Sequence, residues 1–223
     1  GVHHVLERAR PRDGAVLGAM TFVRRTPDSP FSEQEREIAA LLAAQTLLAV
    51  TNASLHAAAM EAAIRDPLTG LHNRRLLDDA LARMSAIRTR LQPQERRPVA
   101  AILFDLDHFG DLNNRHGHSV GDDVLRTFAR LLAGRFRAAD LVARYGGEEF
   151  LVVLDGASCD DAVRAAEAVR LAFRELAVPV HDGDVVRATV SAGCAALDPS
   201  VATLDSLIEM SAVGLAMAKS GGR

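Results

Sequence analysis

The 223-residue sequence contains no tryptophan, one tyrosine and only 4% aromatic residues. It therefore lacks the row of stacking rings on which single-stranded nucleic acid is usually held. Its two cysteines, Cys159 and Cys194, are too few and too far apart for a disulfide framework or a thiolate metal site, and they accord with a reducing compartment. A formal net charge of −3 offers no basic footprint for nonspecific nucleic-acid binding. Lysine is almost missing: of 26 basic residues, 25 are arginine and the exception is Lys219. The longest apolar stretch, Ile38 to Val50, contains Gln45 and Thr46 and falls short of the roughly 20 residues of a membrane span. The chain opens at Gly1 without methionine or a signal-peptide pattern, which reads as a piece of a longer cytoplasmic protein. Its length accommodates one full domain and a fragment.

What the sequence does contain is concentrated in Arg144-Tyr145-Gly146-Gly147-Glu148-Glu149-Phe150. Strand-like runs flank the two glycines, Leu141 to Ala143 before and Phe150 to Leu154 after. That pattern predicts a β-hairpin whose glycines supply the positive φ of a tight turn. Two carboxylates then follow at the tip, where they repel unless a cation lies between them. Taken alone, the four residues also fit an ordinary acidic turn.

A second acidic position lies forty residues upstream. Val99 to Phe104 is a continuous apolar run, as in a strand buried on both faces, and it ends in Asp105-Leu106-Asp107. Alternation sends Asp105 and Asp107 to one side. Oxygen donors alone suit Mg²⁺ or Mn²⁺ rather than zinc, and such ions complete their shell with water and substrate phosphates. The pattern points to metal-assisted chemistry on a nucleotide.

Five ordered segments carry a family resemblance. Asp66-Pro67-Leu68-Thr69-Gly70-Leu71-His72-Asn73-Arg74-Arg75 resembles the opening motif of the GGDEF family, the diguanylate cyclases. Asp105 to Phe109, with Asn113 and Gly117 to Asp122, resembles its metal and guanine-binding segment. Arg144 to Phe150 resembles its signature hairpin, Ser191-Ala192-Gly193 its late strand, and Ala218-Lys219 with Arg223 its C-terminal phosphate-binding stretch. The resemblance runs from about residue 63 to the end. It implies an α+β ferredoxin-like palm that condenses two GTP into cyclic di-GMP, one GTP per protomer of a homodimer.

The roles it implies fall on particular residues. Asp105, the carbonyl of Leu106 and Glu148 would hold Mg²⁺ or Mn²⁺, with Glu149 or Asp107 as further ligands. Glu148 would be the base, or at least the stabiliser, for the attacking ribose 3′-hydroxyl. Asn113 and Asp122 would read guanine, supported by His118, although Asp122 also reads as a helix N-cap. Backbone amides near Phe109 and Gly110 would cradle phosphates, with Lys219 and Arg223 adding charge; Lys219 also fits a chance surface lysine. Arg137 and Asp140, with Arg164, match an inhibitory product site, although an Arg–Asp surface pair at helical spacing has the same pattern.

Several positions depart from the family. Gly110 stands where lysine is usual, Asn114 where aspartate is usual, and Ala212 and Ala216 where Asp and Tyr are common; Ala168 lacks an arginine often found in the product site. Two alternatives stay open: a degenerate domain that senses GTP or cyclic di-GMP, and a scaffold dimerised through a helix.

Residues 1–31 resemble the end of a GAF-like sensor domain, with a strand over Val16 to Arg24. Residues 32–65 read as one signalling helix capped by Ser32 and Glu35, and 66–223 as the cyclase domain. In the helix, Ile38, Leu41, Gln45, Leu48, Asn52, Leu55, Ala59 and Ala62 form a heptad seam. Leu42, Leu47 and Val50 widen its apolar face, so packing within a globular domain fits too. Apolar spacing predicts further helices over Val120 to Phe136, Asp161 to Leu176 and Leu204 to Lys219, and a strand over Arg187 to Ala196.

Overall fold

The computed structural model describes residues 3–9, 18–24, 30–180, 184–201, 203–204 and 206–221. The chain divides into two compact units, 1–61 and 62–223.

In the first unit, β1 (His3–Ala9) and β2 (Gly18–Arg24) pair antiparallel from His3 opposite Arg24 to Ala9 opposite Gly18. Only β2 is legible as a strand in the sequence; Val16 lies outside the described residues. The GAF-like reading rests on sequence resemblance, since a two-stranded ribbon alone specifies no such fold. Helix α1 (Glu33–Ile64) starts where the sequence predicts. The Glu35 carboxylate accepts from Ser32 N–H at 2.8 Å, and Ser32 Oγ accepts from Glu35 N–H at 3.3 Å, a reciprocal capping box. Of its side chains only Ala39 and Ala43 are buried, whereas Ile38, Leu41, Leu48 and Leu55 are more than half exposed. The continuous helix is long and apolar enough to cross a membrane by length and composition, although Ile38 to Val50 alone is not. An Ala- and Leu-rich dimer seam meets the same criterion.

The second unit is built on a five-stranded mixed sheet. Its strands are β3 (His72–Asn73), β4 (Val99–Leu106), β5 (Leu141–Arg144), β6 (Glu149–Asp155) and, after the separate ribbon of β7 (Val178–Pro179) and β8 (Val185–Val186), β9 (Val190–Leu197). Their order is β3-β5-β6-β4-β9, with β3 parallel to β5 and the other pairs antiparallel. Helices α2 (Arg74–Arg90), α3 (Phe109–His116), α4 (His118–Arg135), α5 (Cys159–Glu175) and α6 (Leu207–Ser220) complete the unit.

Alternation along β4 divides the core. Ala100, Ile102, Phe104 and Leu106 join the α4 and α5 side, where Phe128 packs edge-on to Phe104, Phe150 and Phe173 at 4.7–5.6 Å. Val99, Ala101 and Leu103 join Leu77 and Leu81 of α2 and Leu207 and Leu215 of α6 on the other. Gly193 permits this second layer: a Cβ there would overlap the backbone at Ser211 and Leu215. The expected strand over Arg187 to Ala196 begins only at Val190, and α2 and α3 have no counterpart in the sequence reading.

Candidate active site

The end of β4, the β5–β6 hairpin and the end of α6 meet at a cleft of about 260 Å³ lined by Asp105, Leu106, Glu148 and Lys219, with Phe109 and Gly110 of α3 at its side. Pairing fixes the first two elements: Asp105 lies opposite Glu149 across β4 and β6, and Leu106 N–H donates to Glu148 O at 3.3 Å. Lys219 Nζ lies 2.6 Å from Asp105 Oδ1, an ion pair without hydrogen-bond geometry. Burial, then the charge of Asp105, pushes the Glu148 carboxyl above its ordinary value; Lys219 opposes this and Glu149 adds to it.

These donors fit a hard divalent cation. Two carboxylates and a strand-end carbonyl leave room for water and phosphate oxygens, and the Lys219 ammonium shows that the pocket draws positive charge to Asp105. Among the described residues no three His, Cys, Asp or Glu side chains converge as a metal site, so any such ion takes much of its shell from its ligand.

The other two expected acids differ from each other. Asp107 lines the cleft on the same side as Asp105, and its carboxylate accepts from Thr189 Oγ1 and Ser191 Oγ, both at 2.7 Å, Ser191 lying opposite Asp105 across β4 and β9. Glu149 does not line the cleft, and its carboxylate folds over Gly146, where a Cβ would come within 2.5 Å of Oε2. The latter contact also corrects the hairpin reading. Neither Gly146 nor Gly147 has a positive φ; what the missing Cβ at Gly146 allows is the close approach of the Glu149 carboxylate.

The hairpin is held from outside the cleft. Arg144 Nη1 contacts both Asp66 oxygens at 3.1 Å, while its Nη2 donates to Gly147 O at 2.6 Å. Asp66 also accepts from Thr69 N–H and Oγ1. Burial alone would raise the Asp66 pKa, but the Thr69 hydrogen bonds and the Arg144 charge together hold it below its ordinary value. In the sequence both residues fall inside motifs that by themselves assign them no role. An Asp followed three residues later by Thr was the available signal of the Asx-type turn.

On the other flank, α3 starts after His108, a non-glycine residue in the left-handed region at φ 55°. Its first-turn amides belong to Phe109 and Gly110, both on the cleft. Asn113 Oδ1 is buried without a hydrogen-bond partner, close against Gly121, where any Cβ would overlap it. His118 begins α4, with Gly117 as its N-cap, so Asp122 is inside the helix and the N-cap reading of it is wrong. Its carboxylate is half-exposed and 4.0 Å from Arg126.

A model of the GGDEF diguanylate cyclase domain matches residues 63–223. The chain belongs to the GGDEF family. The response regulator PleD of Caulobacter vibrioides is 38% identical over 168 residues, which cover 74% of this chain and 36% of that protein. Diguanylate cyclase A of Treponema denticola is 30% identical over 194 residues, 86% of this chain and 50% of that protein. The chain thus spans half or less of these two relatives. The coiled coil and GGDEF domain of DgcB from Caulobacter crescentus, solved with c-di-GMP, aligns at a TM-score of 0.74 and 26% identity over 83% of this chain and 96% of that one. The Pseudomonas aeruginosa diguanylate cyclase SiaD, solved with its activator SiaC, aligns at 0.66 and 34% over 86% and 71%. The mixed α+β sheet is therefore the GGDEF-type fold.

In this GGDEF domain Arg137, Asp140 and Arg164 do not line the cleft. Arg137 and Asp140 lie in the turn after α4: Asp140 Oδ2 accepts from Arg137 N–H at 2.8 Å, and no ion pair joins the two side chains among the described residues. The pattern is a turn, not a helical pair. Arg164 is exposed on α5 and ion-paired with Asp161. Arg223 lies outside the described residues.

Proposed function

We propose that the domain is a diguanylate cyclase that condenses two GTP into cyclic di-GMP and releases two pyrophosphates. The observation that carries this reading is the single cleft in which Asp105, Glu148 and the N-terminus of α3 face one another beside Lys219. In each half-reaction a 3′-oxygen–phosphorus bond forms at the α-phosphate of the second GTP, and the bond to its β-phosphate breaks. Glu148 takes the hydroxyl proton, a role that its raised pKa suits. Mg²⁺ or Mn²⁺ held by Asp105, the Leu106 carbonyl and Glu148 would lower the hydroxyl pKa and offset phosphate charge. The amides at Phe109 and Gly110 cradle phosphates, with Lys219 and Arg223 as cations. Asn113, whose buried oxygen needs a donor, and Asp122 accept from the N–H edge of guanine, with His118 beside them.

Each domain holds one GTP, so turnover requires a homodimer with its clefts face to face. The exposed seam of α1 supports that assembly, with a GAF-like sensor acting through it and the domain in the cytoplasm. Arg137, Asp140 and Arg164 form the inhibitory product site. The second reading, a GTP or cyclic di-GMP sensor without turnover, is favoured by Gly110 and by the pairing of Lys219 with Asp105. Incubating the protein with GTP and Mg²⁺ and resolving the products by chromatography decides: cyclic di-GMP supports the cyclase, and its absence from a stable dimer selects the sensor.

A further inference from the structure

The hairpin has a second mount, reached through α2. In the parallel pairing of β3 with β5, Asn73 lies opposite Arg144, which puts Arg74 beside Tyr145. The Arg74 guanidinium lies over the Tyr145 ring, 4.5 Å from its centroid. Tyr145 is the first residue of the turn: its N–H and that of Gly146 both donate to Glu149 O, at 2.8 and 3.1 Å. Asn73 is the N-cap of α2, with Oδ1 accepting from Leu76 N–H at 3.0 Å, while its Nδ2 donates to Ala63 O at 2.9 Å. Two adjacent residues therefore hold the last turn of α1 and the ring at the root of the catalytic hairpin.

We infer that Arg74 and Tyr145 are a positioning pair for the turn that presents Glu148, and that Asn73 ties this pair to the end of α1. Arg144 fixes the turn through Gly147 O; the stack fixes its other end. Neither side chain lines the cleft, so the pair acts by holding the backbone three residues before Glu148 in place. The kinetic consequence rests on the cyclase reading, whereas the structural one does not.

The test is amide hydrogen exchange over residues 145–149 of the full chain, with tyrosine emission as a second probe. With one tyrosine and no tryptophan, that emission belongs to Tyr145 alone. Arg74→Ala and Tyr145→Leu are expected to speed exchange in the turn and to make Tyr145 more quenchable by acrylamide where the ring remains. Tyr145→Phe, which keeps the ring face, and Arg75→Ala, on an exposed neighbour, should leave exchange at the wild-type rate. In a protein that turns over, Arg74→Ala should lower kcat about two- to fivefold, the factor an exposed cation–π contact carries, with KM for GTP unchanged. Asn73→Asp keeps an oxygen for the α2 cap and loses the donor to Ala63, so it should loosen the same turn. Unchanged exchange in Arg74→Ala, or unchanged kcat beside loosened exchange, overturns the pair. Unchanged exchange in Asn73→Asp overturns the link to α1. A wild-type protein that makes no cyclic di-GMP removes the cyclase reading and leaves exchange to decide the pair.

Discussion

Arg144 and Asp66 stand 78 positions apart in sequence and meet at 3.1 Å, both side chains largely buried. Arg144→Ala strands the Asp66 carboxylate and releases Gly147, and should cost about 3 kcal/mol in urea unfolding. Lysine should restore only part of this, lacking the planar fork that reaches Asp66 with one nitrogen and Gly147 O with the others. Because the folded pKa of Asp66 is depressed, its contribution is present above the unfolded value and is lost as pH falls through the folded one. Asp66→Asn should accordingly show a flatter acid limb in stability against pH.

Glu148→Gln should lower turnover by about 100-fold or more, measured as cyclic di-GMP formed per site. Stability moves the other way. The folded pKa of Glu148 is raised, so ionisation disfavours the native state once pH exceeds the unfolded value. In metal-free buffer at pH 7 the Gln variant should melt higher than wild type, and below about pH 4 the two should coincide. Saturating Mg²⁺ should narrow the difference at pH 7 by stabilising the wild-type carboxylate. A variant that melts lower at pH 7 would contradict this account of the cleft.

A side chain at Gly110 meets nothing within 4 Å of its Cβ. Gly110→Lys is thus expected to fold normally and to tighten GTP binding by roughly 1.5–3 kcal/mol, read by titration calorimetry. Unchanged affinity would mean that Lys219 and the α3 amides already satisfy the phosphates.

Arg137→Ala should relieve inhibition by added cyclic di-GMP while leaving the initial rate unaltered, since the residue lies outside the cleft. Inhibition curves that superimpose with wild type would remove Arg137 from the product site.

Leu48 is 62% exposed on α1. Leu48→Glu puts like charges into a paired seam, and should shift sedimentation toward monomer and lower specific activity most at low protein concentration. A fully dimeric, fully active variant would mean that α1 is not the dimerising element.

The parts of the fold legible in the sequence are those where one period governs. β4 reads as a buried strand because both of its faces are apolar, α4 and α5 because their apolar residues recur at helical spacing, and α1 because Ser32 and Glu35 cap it. α2 escaped because Arg74, Arg75, Asp78 and Asp79 leave it a polar surface around Leu77 and Leu81, and α3 because eight residues carry too little period. Within the site, Asp105 and Glu148 were legible from strand ends and turn composition. Asp107 was legible as a neighbour of Asp105 on one side, but the Thr189 and Ser191 hydroxyls that hold its carboxylate come from a segment more than 80 residues away. Contacts that depend on packing between distant segments, such as Arg74 on Tyr145, leave no local trace.

The sole lysine of the chain contacts Asp105 in the cleft. Any reagent selective for primary amines therefore has one internal target besides the chain terminus, and that target is one-third exposed when paired. An ion or a triphosphate that draws Asp105 or Lys219 out of this pair changes how readily the amine is modified. The extent of acylation, read as a single mass increment on one peptide, becomes a gauge of what occupies the cleft, without a label, a coupled assay or a second substrate.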